Sequence, residues 1–222
     1  TGAIQPIAEL AKLARSRNPN VRVHVDGVQG FMRVPMHMER MGVDLYALSG
    51  HKIHGPKGVG VLAIRSGVRL VPQITGGGQE KGLRSGTYNS PAILGLHEAV
   101  KTLAADKEAA SRMQKMKTHL WELLSQEEGI RLNGPKPADA DSAPHILSLS
   151  FDGVRGEVMR KALEGEGILV STGSACASHK QKVSSTLRSM GLTQEQADGT
   201  IRVSLGAMNT MEEMNEAAAH ML

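Results

Sequence analysis

Val21-Arg22-Val23-His24-Val25 is a short β-branched run that stops at the turn-forming pair Asp26-Gly27, so it reads as a buried strand delivering an aspartate to its carboxyl end. Two more runs rich in Val, Leu and Ile and bounded by glycine, Asp44 to Leu48 and Gly58 to Ile64, read as strands as well. The pattern Ile7, Leu10, Ala11, Ala14 predicts a helix ahead of them, over about residues 6 to 17. A helix and strands in this arrangement imply an α/β layer with a mainly parallel sheet.

Outward from that layer, Thr75 to Thr87 is too polar and glycine-rich for a regular element and reads as a functional loop or a linker. A long helical stretch follows from about Pro91 to Leu124, with Pro91 suited to a first turn and Gly129 stopping the pattern. A change of domain is expected near Asp106, giving domains of residues 1–105 and 106–222. In the second, His145 to Phe151, Ile168 to Val170 and Ile201 to Leu205 read as strands and Gly156 to Leu163 as a helix, an α+β pattern. Ser184 to Met190 and Met211 to Leu222 read as surface helices.

The 222 residues are 40% apolar, enough for one or two cores, and no apolar run is long enough to span a membrane. The opening Thr1-Gly2-Ala3-Ile4-Gln5-Pro6 lacks the basic and apolar regions of a signal peptide, so the expected location is the cytoplasm. A net charge of +4 from dispersed residues, with only 2% aromatics, argues against nucleic acid as a partner. The first residue is not methionine and a helical pattern begins almost at once, which suggests a fragment or processed product.

Ser49-Gly50-His51-Lys52-Ile53-His54-Gly55-Pro56 sets one lysine between a polar triplet and a glycine-rich turn. A lysine attacks an aldehyde only as the free amine, which calls for a crowded or cationic setting; the plainer reading is a solvated lysine beside a turn. Asp26 lies 26 residues upstream, at the edge where open α/β sheets bind ligands. A carboxylate there can pair with a protonated pyridine nitrogen, and Gln29 can hydrogen-bond the ring oxygen; a turn or cap role is the commoner fate of Asp before Gly.

The single cysteine, Cys176, has no internal partner for a disulfide. It sits in Ser171-Thr172-Gly173-Ser174-Ala175-Cys176-Ala177-Ser178, which has no apolar period and is followed by Lys180 and Lys182, a setting that favours a reactive thiolate over an inert core thiol. Arg202, in an expected buried strand, needs an anion, either a structural carboxylate or a ligand.

The motifs His24-Val25-Asp26-Gly27-Val28-Gln29, Ser49-Gly50-His51-Lys52, Arg84-Ser85-Gly86-Thr87 and Gly173-Ser174-Ala175-Cys176, in this order and at these spacings, resemble those of the cysteine desulfurases, the class V aminotransferase branch of the pyridoxal phosphate (PLP) enzymes. The resemblance runs from Gly2 to about Thr210. It implies a PLP-transferase-like α/β fold, with residues 1–105 as the C-terminal part of the large PLP-binding domain and 106–222 as a small α+β domain carrying the cysteine loop. It implies that Lys52 is the Schiff-base lysine, with Asp26 on the ring nitrogen, Gln29 on the ring oxygen, and Ser49 and His51 on the phosphate. Thr87 would reach the phosphate from the other protomer of a homodimer, and Arg202 would clamp the substrate α-carboxylate.

The implied activity converts L-cysteine to L-alanine, with sulfur passing as a persulfide on Cys176 to an acceptor protein, an iron-sulfur scaffold or a sulfur carrier. Alternatives are a selenocysteine lyase or desulfinase, or a non-catalytic fragment serving dimerisation or sulfur-carrier binding. No metal is expected, since His51 and His54 have no third ligand near them in sequence. Gly27 stands where many relatives have alanine. The family's N-terminal portion does not occur in this sequence, so an open sheet edge, exposed apolar surface and poor activity of the chain alone are expected.

Overall fold

In the computed structural model, which describes residues 1–172 and 184–222, the chain divides into two compact units. One is Pro6–Lys107 and the other joins Thr1–Gln5 to Glu108–Leu222.

In the first unit the β-branched run enters the sheet late, because β1 is His24–Asp26. β2 (Leu45–Ser49) runs parallel to it with Asp26 level with Ala47, and β3 (Gly60–Ile64) lies antiparallel on the other side of β2. The sheet expected to be mainly parallel is therefore mixed in this chain: the connection from Ser49 to Gly60 is too short for a crossover and turns the chain straight back. Nor is β1 buried, since it has a ladder partner on one side only and its His24 and Asp26 are exposed.

Asp44, just ahead of β2, is 0% exposed. Its carboxylate accepts the Val23 N–H at 2.8 Å, pairs with Arg15 of α1 (Ile7–Arg17) at 2.7 Å, and also takes a bond from Arg65 beyond β3. One carboxylate thus ties the helix to both ends of the sheet. Burial pushes the Asp44 carboxyl up, but the Val23 amide and the Arg65 and Arg15 guanidiniums outweigh it and hold the group below the usual carboxylate range.

The single helix expected from Pro91 to Leu124 is two, α2 (Ser90–Ala105) and α3 (Ala109–Leu124). A helical apolar spacing holds on both sides, but Asp106-Lys107-Glu108 interrupts it, and each helix faces a core of its own unit. Asn89 caps α2 by accepting the Ala92 N–H at 3.3 Å, with Pro91 in the first turn as expected.

The second unit is built on an antiparallel sheet of β4 (Ile130–Leu132), β5 (Ile146–Phe151) and β6 (Thr200–Ser204), with β5 central. Leu147, Leu149 and Phe151 pack with Ile201, Val203 and Met113, Leu120 and Leu124 of α3. The last helix, α7 (Met211–Met221), is not a surface helix: Met214, Ala217, Ala218 and Met221 put a stripe at helical spacing into this core. Ile168 to Val170 does not form a strand; only Ser171 bridges to Arg202. Three shorter helices, α4 (Gly156–Gly165), α5 (Ser185–Ser189) and α6 (Gln194–Asp198), complete the unit.

Lys117 of α3 is 1% exposed and donates to the Ser142 hydroxyl and, at 2.8 Å, to the Ala143 carbonyl. The opening residues pack beside it, Gly2 accepting the Ala143 N–H at 2.7 Å. Among the described residues no helix is long and apolar enough to cross a membrane, and no group of three or more His, Cys, Asp or Glu could hold a metal ion.

Candidate active site

Neighbouring strands lie about 4.8 Å apart, so the register of β1 on β2 sets the carboxyl ends of the two strands side by side. Asp26 ends β1, and beyond β2 the chain folds into a 3-10 turn, Gly50–Ile53, that carries His51 and Lys52. His54 closes this turn in the left-handed conformation (φ 64°), its N–H bonding the Gly50 carbonyl. That carbonyl also accepts the Gly55 N–H at 2.9 Å, and the Gly50 N–H reaches the Val59 carbonyl at 2.9 Å. Residue 50 must be small, because a β-carbon there would lie 2.9 Å from Val59 Cγ1 and 3.1 Å from the Pro56 carbonyl.

Buried Ile53 fixes the floor of the turn, and α2 packs against it so closely that a β-carbon at Gly95 would fall 2.5 Å from Pro56 Cγ. Ser49, the last residue of β2, and His51 join through Oγ and Nδ1 at 2.8 Å. Lys52 is half-buried, and no carboxylate among the described residues pairs with its amine.

Asp26 is exposed, and its Oδ1 accepts the Val28 N–H at 3.0 Å in a turn of the type its sequence allows. No cation among the described residues is paired with it. The turn is set by Gly27, whose N–H bonds the Ala47 carbonyl at 2.8 Å and whose carbonyl accepts the N–H groups of Gly30 at 3.0 Å and Phe31 at 2.8 Å. The buried Tyr46 ring lies where a side chain at residue 27 would be, 1.9 Å from an added β-carbon to Cζ. The methyl expected from relatives with alanine is thus replaced by the phenol of the neighbouring strand. Burial, and then the nearby Asp26 carboxylate, push the Tyr46 hydroxyl above its usual range.

Gln29 is exposed on the same turn. Thr87 is exposed in the segment leading to α2, where the Gly86 N–H donates to Gln79 Oε1 at 2.9 Å and the Glu80 N–H to the Tyr88 hydroxyl at 3.0 Å. Asp26, Gln29, Ser49, His51, Lys52 and Thr87 all belong to the Pro6–Lys107 unit, and the first five gather at the ends of β1 and β2. Arg202 belongs to the other unit; half-buried in β6, it donates from Nε to Ser204 at 3.1 Å and meets no carboxylate among the described residues. Cys176 lies outside the described residues.

Two contributors were not singled out from the sequence. Tyr46 is one. The other is Arg33, whose Nη2 donates to the Lys52 main-chain carbonyl at 2.6 Å. A lone cation inside Phe31-Met32-Arg33-Val34-Pro35 was the available signal. Chemically, the edge offers a lysine amine whose main chain is held by Arg33, a carboxylate without a cation among the described residues and a hydroxyl-imidazole pair. These suit an aromatic aldehyde that carries a basic ring nitrogen and an anionic group.

A chain with this sheet edge and this lysine turn belongs to the aminotransferase class V family, whose model matches residues 1–216. It is 40% identical to a NifS/IcsS protein homolog of Lactobacillus delbrueckii subsp. bulgaricus, over 98% of this chain and 56% of that protein. It is 38% identical to the cysteine desulfurase IscS of Clostridium botulinum, over 96% of this chain and 54% of that protein. Its structure is similar to that of a solved NifS-like protein, with a TM-score of 0.86 and 38% identity over 98% of this chain and 56% of that one. A structure described as SspA in complex with cysteine is similar too, with a TM-score of 0.71 and 29% identity over 94% of this chain and 56% of that one. The chain spans about half the length of the curated relatives it matches.

Proposed function

We propose that this chain works in a PLP-dependent cysteine desulfurase, a cytoplasmic homodimer that turns L-cysteine into L-alanine and hands the sulfur to an acceptor protein, for iron-sulfur cluster or thio-cofactor assembly. What carries the reading is that Asp26 ends β1 and Lys52 sits on the turn just past the adjacent end of β2, in a chain similar to proteins named cysteine desulfurase. Residues 1–105 serve as the cofactor-binding part and 106–222 as the part that carries Cys176.

The residues present fit PLP. Asp26, with no cation of its own, would hold the ring nitrogen protonated, Gln29 would bond the ring oxygen, and Ser49 with His51 would receive the phosphate, joined by Thr87 of the second protomer. The Lys52 amine would hold the aldehyde carbon. Bound PLP supplies an electron sink for the bonds around the substrate α-carbon.

The chain's own groups do the rest. Arg202 orients the substrate through its α-carboxylate, a planar fork matched to a carboxylate. The Lys52 amine takes and returns protons at the substrate carbon. Cys176, as the thiolate, attacks the substrate sulfur; a sulfur-sulfur bond forms on Cys176, the carbon-sulfur bond breaks with its electron pair left on the β-carbon, and that carbon takes up a proton to become the methyl of L-alanine.

Adding PLP to the purified chain, reducing with borohydride and mapping peptides by mass should place the label on Lys52. With L-cysteine and a thiol reductant, alanine and sulfide should appear, slowly for this chain alone, and Cys176→Ala should abolish both. A label that falls on other lysines, or full turnover of L-cysteine by Cys176→Ala, would refute the assignment.

A further inference from the structure

Arg33 is in an unusual position for a guanidinium. Its Nη2 makes a 2.6 Å bond to the Lys52 carbonyl, while Nη1 is buried with no hydrogen-bond partner. No carboxylate among the described residues pairs with it, and burial lowers its pKa below the ordinary arginine value. A desolvated cation bound to one main-chain oxygen costs stability, so a guanidinium kept there calls for an explanation in what its bond holds in place. A charge-assisted bond is about twice as strong as a neutral one.

The bond also joins two particular segments. Arg33 ends a run of turns that starts at Gly27, with the Arg33 N–H on the Gly30 carbonyl at 3.0 Å and the Phe31 N–H on the Gly27 carbonyl. Asp26 and Gln29 sit at the start of that run, and Lys52 sits on the turn after β2. The two strands fix the spacing of Ala47 and Asp26, but Lys52 lies five residues beyond the ladder. No ladder bond reaches its main chain, and the Arg33 bond is what ties it back to the Asp26 segment.

We propose that Arg33 is a positioning residue for Lys52, a strut from the segment after β1 to the lysine main chain that holds the amine at a fixed separation from the Asp26 carboxylate. This rests on the reading of Lys52 as the PLP-holding amine. Arg33 itself touches neither substrate nor cofactor in this proposal. Its effect is on how fast and how completely Lys52 captures the aldehyde, and on the rigidity of Gly50–Gly55.

Two measurements on the full chain test it, for wild type, Arg33→Met and Arg33→Lys. Hydrogen exchange without PLP reads the Gly50, His54 and Gly55 amides. Borohydride trapping with limiting PLP, followed by peptide mapping, reads capture at Lys52. Arg33→Met should speed exchange of those amides at least tenfold and cut capture about tenfold, with exchange in β5 and β6 unchanged. Arg33→Lys, which keeps a cationic donor, should recover capture to within about threefold of wild type.

If Arg33→Met does not fold, Arg33→Gln takes its place with the same expectation. Wild-type exchange and capture in the neutral variant would overturn the proposal. A wild-type chain that takes no label at Lys52 overturns the PLP reading itself, and the role given to Arg33 with it. A labelled wild type beside an equally labelled Arg33→Met overturns Arg33 alone.

Discussion

Asp44 and Lys117 are both buried, and their surroundings give them opposite signatures in pH. The Asp44 carboxyl is held below its unfolded value by the Val23 amide and the guanidiniums of Arg65 and Arg15. Its contribution is therefore complete above about pH 4, the unfolded value, and is lost as pH falls through the lower folded value. Asp44→Asn should cost about 3 kcal/mol at pH 7, since Arg15, Arg65 and, at 3.7 Å, Arg22 lose their anion. The gap in urea midpoint between wild type and variant should narrow as pH drops from 5 to 2; a constant gap would show that the carboxylate charge is not what matters. Lys117 runs the other way. Burial lowers its pKa to about 8, from the usual 10.5. The folded state then binds fewer protons than the unfolded one between those values, so stability rises with pH across that window. Holding the lysine charged in its site below pH 8 costs at most about 3 kcal/mol. Against Lys117→Met, the wild type should gain close to that amount between pH 7 and 11 in denaturant titrations, and a flat difference would remove Lys117 from the account.

At the scale of elements, β2 and β3 are readable because Val, Leu and Ile cluster between glycines, and α1 because its apolar residues keep a helical spacing, whereas Ile168 to Val170 forms no strand and the short β4 carries no such signal. The break between α2 and α3 is readable only as a change of domain near Asp106, since helical spacing resumes beyond Asp106-Lys107-Glu108 and the packing partner changes there. α7 was misjudged although Met214, Ala217, Ala218 and Met221 spell a buried stripe, because glutamates and a histidine fill its other face. In the candidate site the residue types were legible one by one, whereas their adjacency depends on β1 lying next to β2, which no local pattern states. The Arg33 bond was out of reach because it ends on a main-chain oxygen 19 residues away. The Gly27 turn shows the same limit and can be tested. An alanine there would set its methyl inside the buried Tyr46 ring, which also leans on Phe31 at a centroid distance of 6.5 Å. Overpacking of this kind costs about 1–3 kcal/mol. Gly27→Ala should be destabilised by that amount, and Tyr46→Leu should relieve it, giving a favourable coupling of about 1 kcal/mol or more in a double-mutant cycle. Strict additivity of the two changes would mean that the backbone, not the ring, takes up the methyl.

On the scale of the whole molecule, the apolar surface is unevenly spent. The second unit closes its sheet under α3 and α7, with Leu120, Leu124, Leu149 and Ile201 fully buried. The first leaves Leu10, Leu13 and Leu94 on its helices and Val61 and Leu62 on β3 exposed, and the segment toward Thr87 carries Val71 at 82% exposure together with Ile74, Leu83 and Tyr88. That segment is nonetheless ordered by its own bonds: Ser85 N–H to the Ile74 carbonyl at 3.0 Å, Gly86 to Gln79, Glu80 to Tyr88. It also holds Glu80 and Lys81 in the left-handed conformation, which costs non-glycine residues on the order of 1 kcal/mol each. The proposed homodimer would cover the outward apolar side chains of this loop, with Thr87 carried into the second site. The chain should therefore show concentration-dependent association in sedimentation velocity at micromolar concentrations. Val71→Lys combined with Ile74→Lys should weaken that association at least tenfold, while Leu10→Lys with Leu13→Lys on α1 should change it far less. The reverse order would move the contact to the helix face and leave Thr87 without a route across.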